Sequence, residues 1–283
     1  LLYQYQLQDL AEKAGVRVRI VEKDWVLGHF LDTVYNHTKW KNRLIFKGGT
    51  CLRKCYFPNY RFSEDLDFIL TESKHRISKE DIDGLAALAE SKSGIRFFVQ
   101  KFGEQRSKNE GMGYQAVIGY WGANHKPNQV PTSPEDWHDK IKLDISYSDY
   151  SMLPIQNRPL YHHYPDADLI ISESIISYCL EEILAEKLRA LIQRNRPRDC
   201  YDIWSVINSN EPIDWTDVKS LFIQKMKHKQ MVFTGPEQLI DQRKTNEMMR
   251  SWDRSLALQV SDGRLPNPEV VMKELKQLIF RLF

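Results

Sequence analysis

Phe46 to Leu70 reads FKGGTCLRKCYFPNYRFSEDLDFIL, and the placing of its glycines and aspartates decides the fold. An apolar run ends at Gly48-Gly49-Thr50, a basic segment of helical character follows, and Asp65-Leu66-Asp67 sits inside a second apolar run. A strand that ends in two glycines lets the backbone turn sharply and brings bare N–H groups close to a phosphate chain, with a helix N-terminus behind them. On an extended segment Asp65 and Asp67 project to one face and Leu66 and Phe68 to the other, because strand side chains alternate. Neighbouring carboxylates repel unless a cation lies between them. With a triphosphate completing an oxygen shell, Mg²⁺ is the expected ion. Metal-dependent phosphoryl or nucleotidyl transfer is the chemistry such an arrangement serves.

Upstream, apolar residues recur at helical spacing over Gln4 to Ala14 and Val21 to Asn36, with Gly15 between them. Glu22-Lys23-Asp24-Trp25 opens the second helix and reads as a charged first turn followed by a buried aromatic. A strand is expected over Arg43 to Phe46, a helix over Gly49 to Cys55, a turn at Pro58-Asn59 and a strand over Asp65 to Thr71. Arg61 and Ser63 share the parity of Asp65 in extended geometry, so a guanidinium and a hydroxyl stand ready for phosphate. Ordinary turn and strand-edge chemistry accounts for them equally well.

Downstream, Ser78 to Lys92 is an amphipathic helix. Ile95 to Phe102 and Met112 to Trp121 read as strands separated by a polar loop, Gly103 to Gly111, and a proline-bearing loop spans Asn124 to Pro134. Lys140 to Tyr147, KIKLDISY, alternates cleanly and puts Asp144 on the polar face. An aspartate there ordinarily makes a cross-strand ion pair. Ser148 to Asp168 reads as a linker, and from Ile175 onward the pattern is helical.

At 283 residues the chain suits two modest domains, and 42% apolar with 28% charged residues excludes disorder. A net charge of +2 argues against global electrostatic attachment to nucleic acid. A cationic rim from Lys225, Lys227, His228 and Lys229 with Arg194, Arg196 and Arg198 is the local alternative. No apolar run is long enough for a membrane span, and Leu1-Leu2-Tyr3-Gln4 has neither part of a signal peptide, so the expected compartment is the cytoplasm. Cys51, Cys55, Cys179 and Cys200 follow no CxxC spacing and are expected as free buried thiols.

The order of strand, glycine pair, helix and Asp-x-Asp strand resembles the polymerase-beta-type nucleotidyltransferase superfamily. The spelling GGT-x-LRK followed by R-F-S-E-D-L-D-F is similar to the AbiEii toxin family, the toxin half of abortive-infection and type IV toxin–antitoxin systems. A second match lies at Ala185 to Ile192 and Arg196 to Ile203, a K-L-x-A-L run followed by R-D-x-x-D. The resemblance implies an α/β N-terminal nucleotidyltransferase domain, residues 1–160, with a mixed sheet and flanking helices. A helical C-terminal domain, residues 161–283, would close over the nucleotide. It implies a metal site of Asp65, Asp67 and Asp144, with Asp144 binding a second ion or helping to deprotonate the acceptor. Gly48, Gly49, Thr50, Arg61, Ser63 and Lys187 would hold the phosphates, and Asp202 would orient Lys187 or the nucleotide. Asp199 is expected to cap or charge its helix.

The implied substrate is an NTP with Mg²⁺, and the implied acceptor is RNA such as a tRNA 3′ end. A cognate antitoxin is the implied partner. Two other functions fit the same residues: a small-molecule nucleotidyltransferase of the antibiotic-modifying kind, and a nucleotide-binding protein acting through partner contacts. Lys187 in a simple surface ion pair is the plain alternative to its role at phosphate.

Overall fold

The computed structural model describes residues 2–107, 111–126, 128–261 and 263–283. Residues 108–110 of the expected polar loop and residue 127 of the proline-bearing loop lie outside them. The chain divides into two compact units, Leu1–Tyr150 with Ile155–Ser177, and Ser151–Pro154 with Tyr178–Phe283.

The first unit opens with helices α1 (Gln4–Ala14) and α2 (Val18–Asn36). Gly15 closes α1 in the left-handed conformation that glycine adopts without a steric penalty. Almost every residue of α2 from Val21 to Tyr35 is buried, the mark of a helix packed on all sides. Its neighbours include α4 (Lys79–Ser93), which Ser78 caps through the backbone N–H of Asp81.

The remaining strands form one mixed sheet. They are β1 (Leu44–Lys47), β2 (Asp65–Leu70), β3 (Arg96–Ser107), β4 (Gly111–Trp121), β5 (Lys140–Ser146), β6 (Gln156–Arg158) and β7 (Ile175–Ser177). Their order across the sheet is β3-β4-β5-β2-β1-β7-β6. β2 pairs parallel with β5 and antiparallel with β1, and β1 pairs parallel with β7. Leu66 and Phe68 are buried, as are Ile141, Leu143 and Ile145, so the apolar halves of β2 and β5 share the core face.

Two expectations change here. The polar stretch after Phe102 extends the hairpin instead of looping, because its cross-strand pairing continues to Ser107 opposite Gly111. Part of the expected linker supplies β6, and β7 follows it to pair with β1, a sheet contribution too short for three-residue strands to announce by alternation.

Glu22 and Asp24 do not form the charged first turn expected of them. Both are buried, because α2 begins at Val18 and carries them into the core. Asp24 accepts from Arg53 Nε at 2.7 Å, Lys54 Nζ at 2.8 Å and the Tyr164 hydroxyl at 2.7 Å. Burial alone would raise this carboxyl, but the two cations outweigh it and hold Asp24 far below the usual carboxylate range.

The second unit is helical: α5 (Leu180–Gln193), α6 (Pro197–Ile207), α7 (Trp215–His228), α8 (Gln242–Leu256) and α9 (Pro268–Leu282). Lys225 belongs to no cationic rim. It is buried, bonded to Glu182 Oε1 at 2.8 Å, and Glu182 also accepts from the backbone N–H groups of Met152 and Leu153. All four cysteines are free and buried. No described helix is long and apolar enough to cross a membrane.

Glu22 yields a test of the core. Burial, opposed by the backbone N–H of Asn124, pushes its carboxyl up from 4.5 to about 7. The folded state therefore holds a proton that the unfolded chain has lost, and stability falls as pH rises from about 4.5 to about 7. Glu22→Gln is expected to raise the melting temperature at pH 8, relieving a penalty of at most roughly 3 kcal/mol, and to leave it nearly unchanged at pH 5. Thermal melts at the two pH values check this.

Candidate active site

β1, β2, β4 and β5 bring four polar residues into one row across the sheet. Asp67 stands opposite Asp144 on the parallel side and opposite Lys47 on the antiparallel side, and Asp144 stands opposite Gln115. Residues in register on neighbouring strands point to the same face, so Asp67 and Asp144 share a face. Asp65, two residues before Asp67, lies on it too, and all three carboxylates are half-buried. Their oxygen-only donor set fits Mg²⁺.

The glycine pair packs directly on this row. Gly48 has a φ of +80°, and a Cβ built on it would stand 2.3 Å from Asp67 Oδ2. A Cβ on Gly49 would stand 2.7 Å from Arg61 Nη2 and 3.2 Å from Ser63 Oγ. Only a residue without a side chain lets the turn from β1 into the short helix α3 (Gly48–Cys51) approach the carboxylate so closely. Arg61 and Ser63 thus flank Gly49, and Asp67 flanks Gly48. The Arg61 guanidinium is buried and donates from Nη1 to the carbonyl of Phe62 at 3.1 Å.

Thr50 is fully buried, and its hydroxyl donates to the backbone carbonyl of Asp65. That bond ties the glycine turn to the strand that carries the aspartates. Behind the turn, α3 continues into a π-helical turn, Leu52–Tyr56, whose Arg53 and Lys54 make the pair with Asp24. Lys23 reaches Glu64 Oε2 at 3.1 Å, next to Asp65 in the chain.

Two side chains of this region escape a reading of single stretches. Gln115 Nε2 donates to Asp144 Oδ1 at 2.7 Å, and Gln105 Nε2 donates to Gln115 Oε1 at 2.7 Å, an amide relay ending on the third carboxylate. Lys47 donates to Asp149 Oδ2 at 3.3 Å. The signal for Gln115 was its parity, since Tyr114, Ala116 and Ile118 on either side are buried and Gln115 falls on the opposite face. Its partner required the β4–β5 register.

Lys187 and Asp202 lie in the second unit. Lys187 Nζ is 2.6 Å from Asp202 Oδ2 and 3.0 Å from Asp199 Oδ1. Asp199 does more than charge the first turn of α6: it is buried and also accepts from Arg194 Nε at 2.9 Å. Burial pushes its carboxyl up, but Lys187 and Arg194 prevail and hold it below the ordinary range. Lys187 is therefore in a buried ion cluster and not in a surface pair.

A mixed sheet with a glycine turn set against a carboxylate row is the arrangement that the sequence resemblance implies for a nucleotidyltransferase. The model of the family described as nucleotidyl transferase AbiEii toxin, Type IV TA system, matches residues 29–273, and the chain belongs to that family. Among solved structures it is similar to MenT4, a nucleotidyltransferase toxin from Mycobacterium tuberculosis H37Rv. The TM-score is 0.64 at 19% identity, over 100% of this chain and 89% of the other. It is also similar to JHP933 from Helicobacter pylori, with a TM-score of 0.53 at 17% identity over 94% of each chain. A putative nucleotidyltransferase from H. pylori aligns with a TM-score of 0.50 at 18% identity, over 90% of this chain and 92% of its own. A comparison with curated proteins returns no match.

The contacts of the two glycines differ in kind, which sets an order of stability. Gly48→Ala meets a positive φ and the Asp67 carboxylate together and is expected to destabilise by about 1–2 kcal/mol or more. Gly49→Ala meets the far end of the Arg61 side chain and costs less. Urea unfolding ranks them. In the second unit, Asp199→Ala removes one of the carboxylates against which Lys187 is buried and is expected to cost about 3 kcal/mol in the same measurement.

Proposed function

We propose that this chain transfers a nucleoside monophosphate from an NTP to an acceptor hydroxyl, and that the acceptor is RNA, with a tRNA 3′ end as the implied substrate. The observation that carries the reading is the register of Asp144 opposite Asp67, on the face that Gly48 approaches. Family membership supports both nucleotidyl transfer and toxin action. The RNA acceptor rests on the family resemblance.

In this reading Asp65, Asp67 and Asp144 hold Mg²⁺. A bound divalent ion supplies charge neutralisation at the phosphate oxygens and alignment of the two reacting groups. The bare backbone at Gly48 and Gly49, with the Ser63 hydroxyl and the Arg61 guanidinium beside it, binds the triphosphate. Thr50 serves by holding this turn against β2. The acceptor oxygen bonds to the α-phosphorus, the bond from that phosphorus to the bridging oxygen breaks, and pyrophosphate leaves with the electron pair. Asp144 takes the hydroxyl proton, and Gln115 fixes the carboxylate in the orientation for that transfer. Lys187 and Asp202 enter as nucleotide-handling residues on the resemblance alone. A cognate antitoxin is the expected protein partner and the cytoplasm the expected compartment.

Pure protein incubated with total RNA, Mg²⁺ and each α-labelled NTP in turn tests this on a gel. Label is expected on RNA, and folded Asp67→Asn and Asp144→Asn variants are expected to lower incorporation by at least ~10²-fold. Label only on a small acceptor would move the chain to the small-molecule class. Growth inhibition that survives in both variants would replace catalysis with binding alone.

A further inference from the structure

A second cluster of ligating side chains stands in the first unit, on residues that the proposed reaction does not use. His29 comes from the interior of α2, and His162 and Asp166 come from the segment between β6 and β7. One ligand atom from each lies within 4.8 Å of the others, and all three residues are buried. His29 Nε2 is 3.1 Å from Asp166 Oδ2, and His162 Nε2 is 3.5 Å from Asp166 Oδ1. Nitrogen and oxygen ligands about 2.0–2.1 Å from a tetrahedral ion are roughly 3.3–3.4 Å apart. Each imidazole stands near that distance from a different oxygen of Asp166, and closing the three ligands on one ion takes a small inward shift from the 4.8 Å within which they lie.

Hydrogen bonding within the cluster accounts for part of it. Trp25 Nε1 donates to both oxygens of Asp166, at 3.2 and 3.0 Å, and His29 can donate to the same carboxylate. His162 is poorly satisfied although buried: Nδ1 has no hydrogen-bond partner, and Nε2 has only the long 3.5 Å approach to Asp166 Oδ1, without the geometry of a good bond. A buried polar ring so weakly partnered is unfavourable. The chain also keeps a glycine inside α2 to admit this ring: a Cβ on Gly28 would stand 2.2 Å from His162 Nδ1. Glycine is a poor helix residue, so this position carries a second local penalty for the same imidazole. The rings are held in place, His29 by the edge of Trp25 at 5.4 Å and His162 by Tyr164 at 4.8 Å.

We infer that His29, His162 and Asp166 form a binding site for a divalent transition ion, best matched by zinc. Two imidazoles and one carboxylate suit zinc and not Mg²⁺ or Ca²⁺, which take oxygen ligands. The ion gives His162 Nε2 a partner and balances the Asp166 carboxylate. The Trp25 indole becomes the outer donor that orients the ligating carboxylate. Three protein ligands leave a fourth position for solvent. This site shares no ligand with the Asp65, Asp67 and Asp144 row and stands whether or not that row catalyses transfer.

Metal alone is the probe. Full-length protein stripped with a chelator, loaded with Zn²⁺ and desalted is expected to retain about one zinc per chain by elemental analysis and to melt at higher temperature than the stripped protein. Co²⁺ loading is expected to give the visible absorption of a four-coordinate nitrogen and oxygen site. His162→Gln, and independently His29→Gln, checked for folding by circular dichroism, should lose both the metal and the absorption. Wild-type protein that retains no zinc, or a folded His162→Gln that retains it equally, would overturn the proposal. So would zinc lost in Asp67→Asn but kept in His162→Gln, which would assign the ion to the carboxylate row.

Discussion

Like charge held at close quarters is the constraint around which the first unit is organised. Asp67 and Asp144 face each other across parallel strands, with Asp65 on the same side, and carboxylates in that relation oppose pairing of the strands that carry them. The fold tolerates the row because each end is occupied by a compensating group. Lys47 stands opposite Asp67, the Gln115 amide donates to Asp144, and Arg61 lies against the adjacent glycine. Burial of Leu66, Phe68, Leu143 and Ile145 on the other face keeps the strands in register despite the repulsion. A sheet face that concentrates negative charge in this way favours a cation beside it over an anion.

The Glu-Lys-Asp and Leu-Arg-Lys stretches, far apart in the chain, are two halves of one internal lock. Asp24 on α2 receives both Arg53 and Lys54, and the Tyr164 hydroxyl donates to the same carboxylate. The basic residues after the glycine turn are thereby committed to the core. An apolar triad of equal volume would hold the segments together as well or better, since desolvating ions offsets much of their attraction. Directional bonds do something that apolar contact does not: they fix the azimuth of the helix behind Gly48 and so the aim of its backbone N–H groups. Thr50, bonded to the carbonyl of Asp65, fixes the other side of the same turn.

Legibility followed the range of the interaction involved. The glycine pair, the Asp-x-Asp strand and the KIKLDISY strand were readable because alternation and turn chemistry act within a few residues. Helix boundaries in the first unit fell close to those expected, for example Gln4–Ala14 for α1 and Lys79–Ser93 for α4. Local pattern does not reveal a role whose decisive partner is distant in the chain. Ser148 to Asp168 looked like a linker because β6 is only three residues long and β7, just beyond it, acquires its meaning from pairing with β1. Glu22 and Asp24 looked like the charged first turn of a helix because their burial depends on what covers α2. Lys225 looked like part of a cationic rim until Glu182 and Glu186 were seen beside it.

Sequence alone determined the family, the mixed α/β character and the short list of acidic and glycine residues, because these are carried by residue type and local spacing. Tertiary structure decided which of those residues meet. The pairing register of β2 and β5 puts Asp144 beside Asp67; alternation fixes the face of Asp144, but a shift of two residues would keep that face and set it opposite Asp65 or Ile69, and no local pattern excludes such a shift. The same holds for His29, His162 and Asp166, drawn from a helix and a distant irregular segment: their convergence exists only once the segment ahead of β7 is laid across α2.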